Sequence, residues 1–113
     1  MAKTRGVSFD VVRQIARALP DVEEHTTPRG TGFTVRGKLL ACEAVHSSAE
    51  PGSLMVRIGT VEREFLLGSA QETYYLTDHY RGYPAILVRL SKISRKALRQ
   101  RLEDAVRFVN ASK

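Results

Sequence analysis

Apolar residues recur three and four positions apart from Phe9 to Leu19. Phe9, Val12, Ile15, Ala16 and Leu19 form one stripe, and Asp10, Arg13, Gln14 and Arg17 take the other side. Ser8 is placed to cap this helix, and Pro20 stops it by disfavouring helical geometry at Leu19. The pattern then shortens. Val22 to Thr27 is β-permissive, and Pro28-Arg29-Gly30-Thr31-Gly32 has the composition of a loop. Phe33 to Val35 and Lys38 to Val45 predict a hairpin turning at Arg36-Gly37, with Val35 opposite Lys38 and Phe33 opposite Leu40. Lys38 would sit at the rim of the core face with its ammonium in water or against a phosphate.

His46 to Ser53 is a polar surface connection. Leu54 to Ile58 alternates, which predicts a half-exposed strand with Met55 and Arg57 outward. Thr60 caps a short predicted helix through Leu67, with Val61, Phe65 and Leu66 inward and Gly68 closing it. Tyr74-Tyr75 favours extended chain. A polar-aromatic knuckle, Asp78-His79-Tyr80-Arg81-Gly82-Tyr83-Pro84, follows, with Gly82 supplying backbone freedom and Pro84 fixing the approach to the next strand. Ala85 to Leu90 is apolar on both sides and reads as a central strand. Ser94 caps a last helix to about Val109, striped by Leu98, Leu102, Ala105, Val106 and Val109 and flanked by Arg95, Lys96 and Arg99. The predicted class is α+β: a curved antiparallel sheet with N-terminal and C-terminal helices packed on one face.

At 113 residues, 42% of them hydrophobic, the chain is predicted to be one domain spanning 1–113. No apolar run approaches the roughly 18 residues of a membrane span. The start of the chain is basic, and the stretch after it is amphipathic and charged, unlike a signal peptide. A lone cysteine, Cys42, forms no internal disulfide. It fits a reducing cytoplasm and reads as a small buried residue of its strand. Net charge is +6 and uneven: residues 69–113 hold nine basic and four acidic groups. Such asymmetry is compatible with a polyanionic partner.

Catalytic chemistry finds little support. His25, His46 and His79 have no zinc-type spacing with a cysteine, so no metal is predicted. Cys42 and His79 carry no nucleophile signature, and the glycines form no phosphate or dinucleotide loop, so no cofactor is predicted. Glu23 and Glu24 point to opposite faces of a strand. His79 can shuttle a proton or orient a ligand. The alternative is that His79 and Tyr80 lock the knuckle by hydrogen bonds to backbone. The expectation is a protein that is not an enzyme.

Three stretches together resemble one family. They are the opening Phe9-Asp-Val-Val-Arg-Gln-Ile-Ala-Arg-Ala-Leu-Pro-Asp-Val-Glu-Glu24, the Phe33-Thr-Val-Arg-Gly-Lys-Leu-Leu-Ala41 hairpin, and Tyr75-Leu-Thr-Asp-His-Tyr-Arg-Gly-Tyr-Pro-Ala-Ile-Leu-Val-Arg-Leu90 before a leucine-spaced helix. In that order, from Val7 to Val109, the chain resembles the MmcQ/YjbR family of small bacterial proteins. The resemblance implies a compact α+β fold of the CyaY-like, double-wing kind and the DNA-binding role commonly given to the family. It supplies no catalytic residues. Gly37 and Lys38 in the hairpin, and His79, Tyr80, Arg81 and Gly82 in the knuckle, match the family's motifs. A Tyr-Gly-x-Pro-like element common before the hairpin phenylalanine is replaced here by Thr27-Pro-Arg-Gly-Thr-Gly.

Two readings of function follow. Weak, salt-sensitive contact with the DNA backbone would use Arg36 and Lys38 at the hairpin, Arg81 at the knuckle, and Lys92, Arg95, Lys96 and Arg99 at the last helix. A module for a small ligand or a protein partner would use His79, Tyr80, Arg81 and Tyr83. The first requires those cations on one continuous face. The second requires an apolar concavity on which the knuckle converges. The sequence carries no signal for oligomeric state.

Overall fold

The computed structural model describes residues 6–111; the basic segment Met1–Arg5 lies outside them. Helix α1 is Phe9–Arg17, and the Ser8 hydroxyl accepts the Val11 N–H at 3.4 Å. The strands are β1 (Val22–Thr27), β2 (Gly30–Val35), β3 (Lys38–Glu43), β4 (Ser53–Arg57), β5 (Tyr74–Tyr75) and β6 (Ala85–Arg89). Helix α2 is Thr60–Ser69, α3 is the single turn Asp78–Arg81, and α4 is Arg95–Ala111, capped by Ser94. All six strands form one antiparallel sheet in the order β1-β2-β3-β4-β6-β5. The predicted α+β class is the observed one, and β6 is interior as its apolar weight requires.

Alternation divides the sheet into two faces. Phe33, Val35, Leu40, Leu54, Val56, Ile86 and Val88 bury against Val12 and Ala16 of α1 and Leu98, Leu102, Ala105 and Val109 of α4. Each large side chain buried this way stabilises the fold by about 1.5–3 kcal/mol. The opposite face holds a smaller cluster: Met55, Ala85 and Leu87, with Leu39, Cys42 and Tyr75, under Tyr80 of α3.

Four expectations are corrected. The β1–β2 connection is only Pro28-Arg29, because Gly30 to Gly32 pair with Thr27 to His25 as strand. Phe33 faces Ala41, not Leu40, because a bulge inserts one residue into β3. Leu40 and Ala41 both enter the main core as a result, and Leu39 and Cys42 both emerge on the opposite face. Strand β4 is covered on both sides, not half-exposed, since α3 and its neighbours shelter Met55.

The fourth correction is α2: Leu66 packs against the main core as expected, but Val61 and Phe65 face outward and Arg63 turns in. Val61 is 84% and Phe65 70% exposed, whereas Arg63 is 7% exposed. The reason is hydrogen bonding. The Arg63 guanidinium donates through one nitrogen to the carbonyls of Tyr83 at 2.7 Å and Ala85 at 3.2 Å, at the entry to β6. Buried carbonyls without partners are costly, and the arginine turns inward to supply the donor. Gly59 stands at the N-cap position in place of Thr60, and Gly68 lies within the helix rather than beyond it.

Two glycine expectations part ways. The Arg36-Gly37 turn has φ of 53° and 80°, as a two-residue hairpin of the mirror-image type demands. Gly82 has φ −76°, an ordinary right-handed value that any residue adopts, so backbone freedom is not its role.

Candidate functional site

The face away from α1 and α4 carries a cleft of about 540 Å³. Its floor is Leu39 and Cys42 from β3 and Met55 from β4. One wall is the knuckle, with His79, Tyr80, Tyr83 and Pro84. Arg57, at the end of β4, and Arg29, in the β1–β2 turn, complete the lining. The bulge in β3 makes this floor, since residues 39 and 42 of a regular strand would point to opposite faces. An adjoining hollow of about 370 Å³ shares Arg29, Leu39, Cys42 and Tyr80 and runs over Gly32 toward His25.

The knuckle is held from three sides. Arg63 fixes the Tyr83 carbonyl from below. Tyr80 is buried, and its hydroxyl accepts the His46 N–H at 3.4 Å. Burial pushes the Tyr80 phenol up from its usual range. On the solvent side the rings of His46 and His79 stack, with centroids 3.5 Å apart and planes 6° from parallel. His46 Nδ1 accepts the Ser48 N–H at 3.0 Å, which assigns the ring hydrogen of neutral His46 to Nε2. The Ser48 hydroxyl in turn bonds the hydroxyl of Thr77, the residue preceding α3, at 2.9 Å. Tyr83 stays 55% exposed at the rim, its ring centroid 6.2 Å from that of His79.

Cys42 lies on the cleft floor, on the face opposite the main core. Burial pushes its thiol up, and the neighbouring Glu43 carboxylate adds to the effect. A thiol held protonated is a poor nucleophile. Arg57 donates to the Pro84 carbonyl at 3.2 Å and lies 5.5 Å from the Phe108 ring centroid.

Of the residues expected to take a ligand, the cleft brings together His79, Tyr80 and Tyr83. Arg81 faces Asp78 at 3.8 Å on its own helix and is outside the lining. His46, Arg29, Cys42, Met55 and Arg57 were not legible as site residues. The alternation of β4 offered a hint for Met55 and Arg57, whereas no local pattern connects His46 with His79.

The cations expected to contact DNA are exposed, but they fall in three places. Arg36 pairs with Asp21 at 3.6 Å across the foot of the hairpin. Lys38 Nζ donates to the Val109 carbonyl at 3.3 Å, compensating the C-terminal end of α4. Arg95 and Lys96 open α4 at its other end, about 20 Å of helix away, with Lys92 just before them. Arg99 is paired with Glu103 at 3.0 Å. Arg81 is on α3, across the sheet from α4.

Among the described residues no group of three or more His, Cys, Asp and Glu side chains is arranged to hold a metal ion, and no helix is long and apolar enough to cross a membrane.

No family model and no curated protein matches the chain. Among solved structures it is similar to the crystal structure of Deinococcus radiodurans protein DR2400, whose domain is designated DUF419. The two share 17% identity with a TM-score of 0.75, over 93% of this chain and 80% of that one. At that identity the likeness is one of fold: the six-stranded antiparallel sheet with flanking helices is an architecture this chain has in common with a DUF419 protein.

Proposed function

We propose that this protein is a cytoplasmic binding module of the MmcQ/YjbR-like group, and that it takes a small ligand in the cleft between α3 and the open face of the sheet. Group membership is supported by the hairpin and knuckle motifs and by the shared architecture with a DUF419 protein, a fold related to that of the group. The observation that carries the functional reading is the convergence of His79, Tyr80 and Tyr83 on a floor of Leu39 and Met55, in a cleft of about 540 Å³. That volume is in the range of small-molecule sites, where an apolar lining supplies affinity and a few polar groups fix orientation. A half-buried Cys42 thiol, whose pKa is pushed up by partial burial and by Glu43, favours binding over covalent chemistry. Pairing of Arg36, Arg81 and Arg99 with nearby carboxylates weakens the case for a DNA face.

The test is a set of amide-resolved NMR titrations. One arm uses a library of small aromatic and aliphatic molecules, the other random-sequence duplex DNA at two ionic strengths. The expected result is a shift of the Met55, Tyr80 and Tyr83 amides with a subset of small molecules and no saturable DNA response. Salt-sensitive DNA shifts around Arg36, Lys38 and Arg95 to Arg99, with a silent cleft, would replace this reading with the DNA one.

A further inference from the structure

Most arginines in the described part of the chain sit against carboxylates. Arg13, Arg36, Arg63, Arg81, Arg89, Arg99, Arg101 and Arg107 each have an Asp or Glu oxygen within 4 Å. Among the described residues four arginines make no such pair, Arg17, Arg29, Arg57 and Arg95, and two of these, Arg29 and Arg57, line the cleft. No acidic side chain joins them there among the described residues. Among the described residues the Arg57 guanidinium donates from Nε to the Pro84 carbonyl and lies 5.5 Å from the Phe108 ring centroid, and no carboxylate pairs with its terminal nitrogens. Two guanidinium groups without a paired carboxylate beside an apolar floor give the cleft a positive field with low-dielectric walls, and Glu43, in the adjoining hollow, has its Oε1 engaged by the Thr31 N–H. Guanidinium groups bind planar oxyanions through paired, charge-assisted hydrogen bonds. The rest of the lining suits a flat ring. The Met55 thioether favours aromatic contacts, Leu39 is flat apolar surface, and Tyr83 offers an exposed ring at the rim.

From this juxtaposition we infer that the cleft takes an aromatic acid: a ring lying over Leu39 and Met55 whose carboxylate or phosphate group is held by Arg29 and Arg57. This rests on the cleft being a ligand site, and it names the chemistry of the occupant. The adjoining hollow over Gly32 gives room for a substituent on the ring. A Cβ at Gly32 would stand 3.2 Å from the Cys42 Cβ, so glycine keeps that passage open.

The experiment titrates the protein with phenylacetate, phenyl phosphate, the neutral isostere phenylacetamide and the cation phenethylammonium, at millimolar concentrations, following the Met55, Tyr80 and Tyr83 amides. One or both acids should shift them, phenylacetamide should bind about tenfold more weakly, and phenethylammonium should leave them unmoved. Arg29→Gln and Arg57→Gln should each lower affinity for the acid by about tenfold while leaving that for phenylacetamide unchanged. Arg29 is in an exposed turn, so its variant tests the inference even if Arg57→Gln disturbs Pro84. If phenylacetamide binds the cleft as tightly as phenylacetate, or if both variants keep full affinity for the acids, the aromatic-acid inference is overturned while the cleft remains a ligand site. If no probe moves the cleft amides, both are overturned.

Discussion

His46 and His79, distant in the chain, stack ring on ring at 3.5 Å, and this contact joins the β3–β4 connection to α3. Tyr80 meets both rings edge-on, at 6.2 Å and 4.8 Å between centroids. The stack therefore closes the solvent side of the knuckle that walls the cleft. His46→Ala and His79→Ala should each destabilise the protein by about 1 kcal/mol, the scale of an aromatic pair. The double variant should cost less than the sum of the two, because either change alone removes the same contact. His46→Phe should recover much of the loss. Urea unfolding midpoints measure all four. Strict additivity of the two alanine variants would mean that the rings are neighbours without being partners.

Helix α2 gives a prediction opposite to the one its residue pattern suggests. Arg63→Met removes the donor shared by the Tyr83 and Ala85 carbonyls and should cost about 2–4 kcal/mol. Val61→Lys and Phe65→Lys replace exposed side chains and should change stability by no more than about 0.5 kcal/mol. Chemical denaturation of the three variants decides the orientation: a larger loss for Phe65→Lys than for Arg63→Met would turn the helix over.

The contrast between α2 and α4 shows what the sequence makes visible. In α4 the stripe of Leu98, Leu102, Ala105 and Val109 meets a wide apolar sheet, so periodicity alone orients the helix. In α2 the burial of Arg63 is decided by two carbonyls some twenty residues away, and no window over the helix contains them. The hairpin turn was legible because positive φ at residues 36 and 37 has a local signature in Arg-Gly. The bulge was not, since Leu39 to Cys42 is an unbroken apolar run with no alternation to interrupt, and only the pairing with Phe33 exposes the extra residue. The site suffered most from this. His79, Tyr80 and Tyr83 share a short stretch and were found together, while Arg29, Arg57 and His46 reach it from other elements and carry no mark of doing so.

Acid sensitivity should centre on Glu50. Arg89 grips both its carboxylate oxygens at 2.8 Å, while the guanidinium lies 4.3 Å from the Tyr75 ring centroid. The hydrogen bonds from Arg89 hold the Glu50 carboxyl below its usual range, outweighing the opposing effect of burial. A group whose folded pKa is depressed contributes stability above its unfolded value and loses it as pH falls through the folded one. Glu50→Gln should therefore be less stable than the wild type at neutral pH, with the gap closing as the pH drops below the ordinary glutamate range. Thermal melts from pH 7 downward measure this. A gap that stays constant across that range would show the carboxylate's charge to be irrelevant to stability.

Cys42 reports on the cleft floor directly. Burial, helped by the Glu43 carboxylate, keeps its thiol protonated beyond the usual thiol range. Since the thiolate is the reacting form, iodoacetamide at pH 8 should modify Cys42 in the folded protein more than about tenfold more slowly than in the urea-unfolded chain. Two effects contribute: the thiolate is scarce, and Met55 and Tyr80 restrict access. Raising the pH separates them, because the thiolate fraction grows with pH while access does not. The folded-state rate should keep climbing at pH values where that of the unfolded chain has levelled off. Equal rates for folded and unfolded protein at pH 8 would place the sulfur outside the sheltered floor and remove Cys42 from the cleft.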